Sequence, residues 1–201
     1  MGSNPSERHS IRRRIEEAPG LAEVKALQMG RMVERLATWR ITAAALIGAA
    51  GCVAGLAWRQ ARLGGLDLLD GRGWYTPGEA AALFDALDRL DAGARVAYAT
   101  TALTVDMVFP ASYGLLFAIL LFRLFRGGAP LYLLPLALAL ADVLENTTVA
   151  ALVLSHTGAP SPLAWLAAAF TLAKTGLIAA TLAAVGAGGT LRLWARIRQS
   201  R

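Results

Sequence analysis

The sequence predicts an all-α membrane protein: a bundle of four transmembrane helices, with an amphipathic interfacial helix before it and a short amphipathic helix on its outer side. Three observations lead there. The chain has 201 residues, of which 56% are hydrophobic and only 17% charged, where a soluble domain carries about 25% charge. The mean hydropathy is +0.48, and the charge is clustered in the ends and one loop. Four segments are long and apolar enough to cross about 30 Å of hydrocarbon: Ile41–Trp58, Val96–Leu121, Leu131–Leu154 and Leu163–Val185.

The first segment begins too deep in the chain to be the core of a signal peptide. Before it, residues 1–20 form a polar tail with an Arg12-Arg13-Arg14 run, a composition that predicts disorder. Residues 21–40 place Leu21, Val24, Met29, Met32, Val33, Leu36 and Trp39 on one broad helical face. That face predicts a helix lying at the membrane surface or extending the first span. Within that span, Gly51-x-x-x-Gly55 predicts a close approach of helices. The only cysteine, Cys52, lies in the same apolar run and has no partner for an internal disulfide.

In the long loop after the first span, Thr76-Pro77-Gly78-Glu79 has the form of a capping box with proline in the first turn. It predicts a helix over 77–91 stopped near Gly93, with Tyr75 stapled onto Ala80. Leu83, Phe84, Leu87 and Leu90 would form its apolar stripe, with Asp85, Asp88 and Arg89 facing away. After the fourth span, the Gly186–Gly189 run predicts a helix end, and 186–201 a basic cytoplasmic tail.

Lysine and arginine set the orientation. Eight precede Ile41, two lie in the Arg123–Pro130 loop and four in the C-terminal tail. Five lie on the opposite side, between Arg59 and Arg95, offset by six acids. The positive-inside rule then places both termini in the cytoplasm. The excess of Ala, Leu, Gly and Arg over Lys suggests a bacterial genome and hence the inner membrane. The net charge of +6 follows from topology and from attraction to anionic lipid headgroups; no nucleic-acid partner is needed to explain it.

Four ionisable residues interrupt the spans: Asp106, Asp142, Glu145 and Lys174. Each costs about 2.5–3.5 kcal/mol at a helix centre on insertion scales, so they must face one another, water or a ligand. Counted from the outer helix ends at about 1.5 Å per residue, all four fall at nearly the same depth. Asp142, Glu145 and Asn146 share one helical face, and Thr171 lies one turn before Lys174. Tyr98, Phe109, Pro110 and Tyr113 share the face of Asp106. Pro110 has no N–H to bond the Asp106 carbonyl, which leaves a kink and a spare acceptor. Three carboxylates against one ammonium leave −2 if all are ionised. Either one or two acids stay protonated, or a cation is bound.

The candidate site is therefore Asp106, Asp142, Glu145, Asn146, Lys174, Tyr113, Tyr98 and Thr171. With neither histidine, His9 nor His156, at a membrane-central position, bis-histidine haem has no support. No Cys/His spacing suggests a metal site.

The order Tyr75-Thr76-Pro77, Gly93, Arg95, Tyr98, then Asp106-x-x-Phe109-Pro110-x-x-Tyr113, then Asp142-x-x-Glu145-Asn146 resembles a group of uncharacterised bacterial four-span membrane proteins over about Trp74 to Val185. The acid followed by Phe-Pro in one span, with paired acids in another, is also similar in architecture to the sterol-isomerase and sigma-2-receptor group. That likeness implies acids buried in a lipid-facing cavity, although the cavity histidine of the isomerases is missing here. Two function classes follow. One is binding or transformation of a small amphipathic or lipid-like ligand within the bilayer. There the acids would supply acid–base or cation-binding groups, and Lys174 would bind an anion or tune them. The other is a non-catalytic subunit of a larger respiratory, photosynthetic or transport complex, in which the charged cluster pins the helices.

Overall fold

A computed structural model describes residues 21–125 and 130–200. The polar tail 1–20 expected to be disordered lies outside the described residues, as do 126–129 and Arg201. The described residues contain helices and no strands. The helices are α1 (Leu21–Leu36), α2 (Trp39–Arg62), α3 (Pro77–Leu90), α4 (Ala94–Ala102), α5 (Val105–Phe125), α6 (Leu133–Leu154) and α7 (Leu163–Gln199). Four stretches are long and apolar enough to cross a membrane: Trp39–Arg62, Ala94–Phe125, Pro130–Leu154 and Leu163–Gln199. They form an all-α membrane bundle.

α6 is the central helix. It packs on α7 along one side and on α4 and α5 along the other, while α2 lies peripherally against α5. Alanines 164, 167 and 168 of α7 are fully buried, and their small side chains let the two helices lie close. Two apolar clusters fill the ends of the bundle. At the capped end, Leu69, Tyr75, Phe84, Leu87 and Tyr98 pack against Val149, Leu152 and Val153 of α6. At the opposite end, Val33 of α1 packs against Ala118, Ile119 and Tyr132.

α1 is a helix of its own and does not extend the first span. The chain breaks at Ala37, and Thr38 caps α2 by accepting a hydrogen bond from Ile41 N at 3.3 Å. The second span is two helices where the sequence predicts one. Its break falls at Leu103–Thr104, where Thr104 N bonds back only three residues, to Thr101 O. Thr101 and Thr104 turn their hydroxyls onto the carbonyls of Ala97 and Thr100, a back-bonding that bends helices.

Three further expectations are corrected. The close approach in α2 is made by Gly48 and Gly55, whose added Cβ atoms would meet Ser112 and Val105 of α5; Gly51 faces open space. The Gly186–Gly189 run does not end α7, which continues to Gln199, because Gly188 sits directly against Leu124 and Phe125 and a side chain there would collide with them. Leu90 leaves the stripe of α3 and is exposed, while Asp85 does not simply face away: its Oδ1 meets His156 Nε2 at 2.8 Å.

The capping box forms as expected. Thr76 Oγ1 accepts from Glu79 N at 3.3 Å, and Glu79 Oε2 accepts from Thr76 N at 2.7 Å. Tyr75 and Ala80 are both buried beside it. The α3 helix ends at Leu90, and Gly93 instead opens α4. The Thr76 backbone N–H holds the Glu79 carboxyl below its ordinary pKa. A depressed folded-state pKa adds stability that is present above the unfolded value and is lost as pH falls through the folded one. Replacing Thr76 by alanine removes the cap hydroxyl that accepts from Glu79 N and should cost about 1 kcal/mol in thermal melts in detergent at neutral pH. Below about pH 4, the same melts should show a smaller difference between wild type and Glu79→Gln.

Candidate functional site

Between the two apolar clusters lies a buried polar layer. The structure brings Asp142, Glu145, Thr171 and Lys174 into direct contact. Lys174 Nζ ion-pairs with Glu145 Oε2 at 2.5 Å and with Asp142 Oδ1 at 3.3 Å. Thr171 Oγ1 donates to Glu145 Oε1 at 2.8 Å, and Tyr113 OH donates to Asp142 Oδ2 at 2.8 Å. Glu145 is fully buried. The i,i+3 spacing of Asp142 and Glu145 lets one ammonium reach both.

Asp106 belongs to a second centre. Its Oδ2 accepts from Arg59 Nη1 at 3.0 Å, and Arg59 Nη2 reaches Asp70 Oδ2 at 2.5 Å. Tyr98 lies under the Arg59 guanidinium, 5.4 Å from ring centroid to Cζ, and donates its hydroxyl to Asp70 Oδ1 at 3.0 Å. Asn146, next to Glu145 on α6, reaches toward the second centre, because its Nδ2 donates to the Asp106 carbonyl at 2.7 Å. That carbonyl is the one left free by Pro110, so the spare acceptor is filled by an amide from the facing helix. Asp70 makes the second link: its carbonyl accepts from Lys174 Nζ at 3.4 Å.

Arg59 and Asp70 are the residues that sequence reading misses. Both are counted there as loop charges, yet Arg59 is buried in the last turn of α2. A signal exists: Ala45, Cys52 and Arg59 are the buried residues of α2, and they recur every seven positions, so Arg59 continues the bundle-facing stripe. Asp70 is carried inward by the loop. Gly64 and Gly65 have φ of +67° and +68°, a left-handed conformation that glycine adopts at little cost. They turn the chain back over α2, and Leu69 is buried with its N–H donating to Tyr98 OH at 3.2 Å. Tyr75 closes the same loop over the cluster. Its hydroxyl is buried beside Thr171, and burial pushes its pKa up to about 12.

The enlarged network holds four carboxylates and two bases, so the −2 balance of the smaller set persists if all are ionised. The bases stand between the acids, and among the described residues no three Asp, Glu, His or Cys side chains converge as a metal site would require.

A cleft of about 380 Å³ reaches this network from the side of the bundle. Its walls are Phe109, Tyr113 and Phe117 of α5 and Lys174, Ile178, Thr181 and Leu182 of α7, with Leu138 and Asp142 of α6 between them and Asp70 at one end. It is thus apolar along its length and polar where it meets Tyr113, Asp142 and Lys174. A second cavity of about 270 Å³ lies between α3 and the α6–α7 loop, beside His156, and has no connection to these residues in its lining.

The chain matches no family model, no curated protein and no solved structure.

Removing Lys174 leaves Asp142 and Glu145 without their base, and breaking a buried pair typically costs about 3–5 kcal/mol. Lys174→Met should lower thermal stability in detergent accordingly. Adding Glu145→Leu should recover part of the loss. Adding Asp106→Leu should not, because Asp106 is held by Arg59; its own rescue partner is Arg59→Met. Double-mutant cycles read the assignment directly, since uncoupled sites add.

Proposed function

We propose that this multi-pass membrane protein holds a small amphipathic, lipid-like molecule in the cleft between α5 and α7. The polar end of the molecule rests on Tyr113, Asp142 and Lys174, and its apolar body lies along Phe109, Phe117, Leu138 and Ile178. One observation carries this reading: an apolar cleft ends on the most expensive residues in the bundle. A purely structural pin has no need of such access, since buried polar groups are best sealed once paired. The volume is at the lower end of small-molecule sites, about 300–1,000 Å³, which suits a compact amphiphile. The architectural likeness to the sterol-isomerase and sigma-2-receptor group implies a similar placement of acids beside a lipid-facing cavity.

Native mass spectrometry after purification in mild detergent tests the proposal. Wild type should carry a co-purifying amphiphile, and Ile178→Trp, which fills the cleft and keeps every charged residue of the network, should lose it. Equal occupancy in both would place the molecule elsewhere. The subunit reading draws on the extensive pairing within the network. It would take over if Ile178→Trp changed nothing and stoichiometric partner chains accompanied the protein.

In this reading the membrane is the bacterial inner membrane, with both termini in the cytoplasm and α3 outside. The burial of Arg59 supports the orientation by removing one base from the outer count. The tryptophans of α2 support the limits of the first span. Trp39 and Trp58 are exposed near its two ends, the level of the aromatic belts. Trp39 and Trp58 are separated along α2 by about 28 Å at 1.5 Å per residue, close to the hydrocarbon thickness. In a Cys52→Ala background, a cysteine at Ser200 should label with an impermeant thiol reagent only after the membrane is opened. A cysteine at Asp91 should label in intact cells. The reverse pattern would invert the topology.

A further inference from the structure

One residue of the cleft wall carries a polar atom that the charged network does not use. Thr181 is 1% exposed, lines the cleft, and its hydroxyl has no hydrogen-bond partner. This is unusual within the molecule. Thr101, Thr104, Thr148, Thr175 and Thr190 each turn their hydroxyls onto the carbonyl four residues earlier. A threonine inside a helix has that acceptor at hand. The Thr181 hydroxyl makes no such bond, and leaving a buried hydroxyl without a partner is unfavourable.

Its position is informative. Thr181 lies seven residues after Lys174 on α7, two helical turns along the same face, or about 10 Å at 1.5 Å per residue. The wall between them is apolar, with Ile178 on α7 and Leu138 and Phe117 facing it. At the Lys174 end the free hydrogen-bonding capacity lies in the remaining lone pairs of Asp142 and Tyr113, since Lys174 Nζ already contacts Asp142, Glu145 and the Asp70 carbonyl. The cleft thus offers one hydrogen-bonding station at each end of an apolar channel.

We infer that Thr181 is a second polar subsite, and that the molecule bound in the cleft is a two-ended amphiphile with polar atoms about 10 Å apart across an apolar body. The inference rests on the reading of the cleft as a ligand site and adds the chemistry of its far end. A single-headed lipid would leave Thr181 bare, whereas a hydroxyl or carbonyl at the far end would satisfy it. The subsite therefore discriminates by penalising any ligand that lacks the second polar atom, a stronger filter than fit in an apolar pocket.

The test uses 1,7-heptanediol, whose oxygens stand about 10 Å apart when extended, and 1-heptanol as probes, titrated into the purified full-length protein in detergent and read as the half-saturating concentration of the thermal-stability shift. Wild type should bind the diol about three- to tenfold more tightly than the monoalcohol, the range for one net hydrogen bond. Thr181→Val, which keeps the shape, should abolish that preference. Thr181→Ser should restore it, which separates loss of the hydroxyl from loss of packing. A diol preference that survives Thr181→Val but disappears in Ile178→Trp would overturn the subsite while leaving the ligand cleft standing. No response to either probe, or equal responses in wild type and Ile178→Trp, would overturn both.

Discussion

The structure depends on the requirement that charge buried in a low-dielectric bundle be met by opposite charge or by hydrogen bonds. Arg59 and Lys174 satisfy it at two points, and every helix with a buried charge is rotated so that its residue reaches one of them. α2 brings Arg59, α5 brings Asp106, α6 brings Asp142 and Glu145, and α7 brings Lys174. Apolar packing alone specifies such a bundle weakly, because lipid solvates a leucine as well as another helix does. The small residues at the contacts then set how closely the helices approach: Gly48 and Gly55 against α5, and the alanines of α7 against α6.

Much of this was legible in the sequence because the expensive residues are also the informative ones. Acids in apolar runs identify themselves, and their common depth across three spans pointed to a shared layer. Pro110 marked a free carbonyl, and the structure fills it with Asn146. The Thr76–Glu79 box marked the start of α3 because capping is local chemistry, decided within four residues. What was not legible is the part of the network contributed by residues that look solvated. Arg59 ends an apolar run and Asp70 sits among Gly, Asp and Arg, an ordinary setting for loop charges. Only the seven-residue recurrence in α2 and the paired left-handed glycines hinted that this loop folds inward. The direct partner of Asp106 was hidden for the same reason, since Arg59 lies just outside the four spans.

Helix ends were less legible than helix existence. The second span breaks at Thr104 although its hydropathy is continuous, because threonine hydroxyls compete locally for carbonyls and hydropathy does not register that competition. The fourth span runs on through Gly186–Gly189 although glycine weakens helices. Contact with Leu124 and Phe125 at Gly188 outweighs the local preference, as tertiary contacts commonly do.

The pairing of α6 with α7 also bears on how the chain enters the membrane. Taken alone, α6 would carry both Asp142 and Glu145 into hydrocarbon, at about 2.5–3.5 kcal/mol for each acid near the helix centre. Lys174, which meets both, is synthesised only after the short turn at 155–162 and the first half of α7. α6 is therefore poorly suited to partition by itself as it leaves the translocon. It is far better suited to wait at the lateral gate until α7 emerges and the two can enter as a helical hairpin with their charges already joined. The central helix of the folded bundle would thus be among the last to commit to the bilayer.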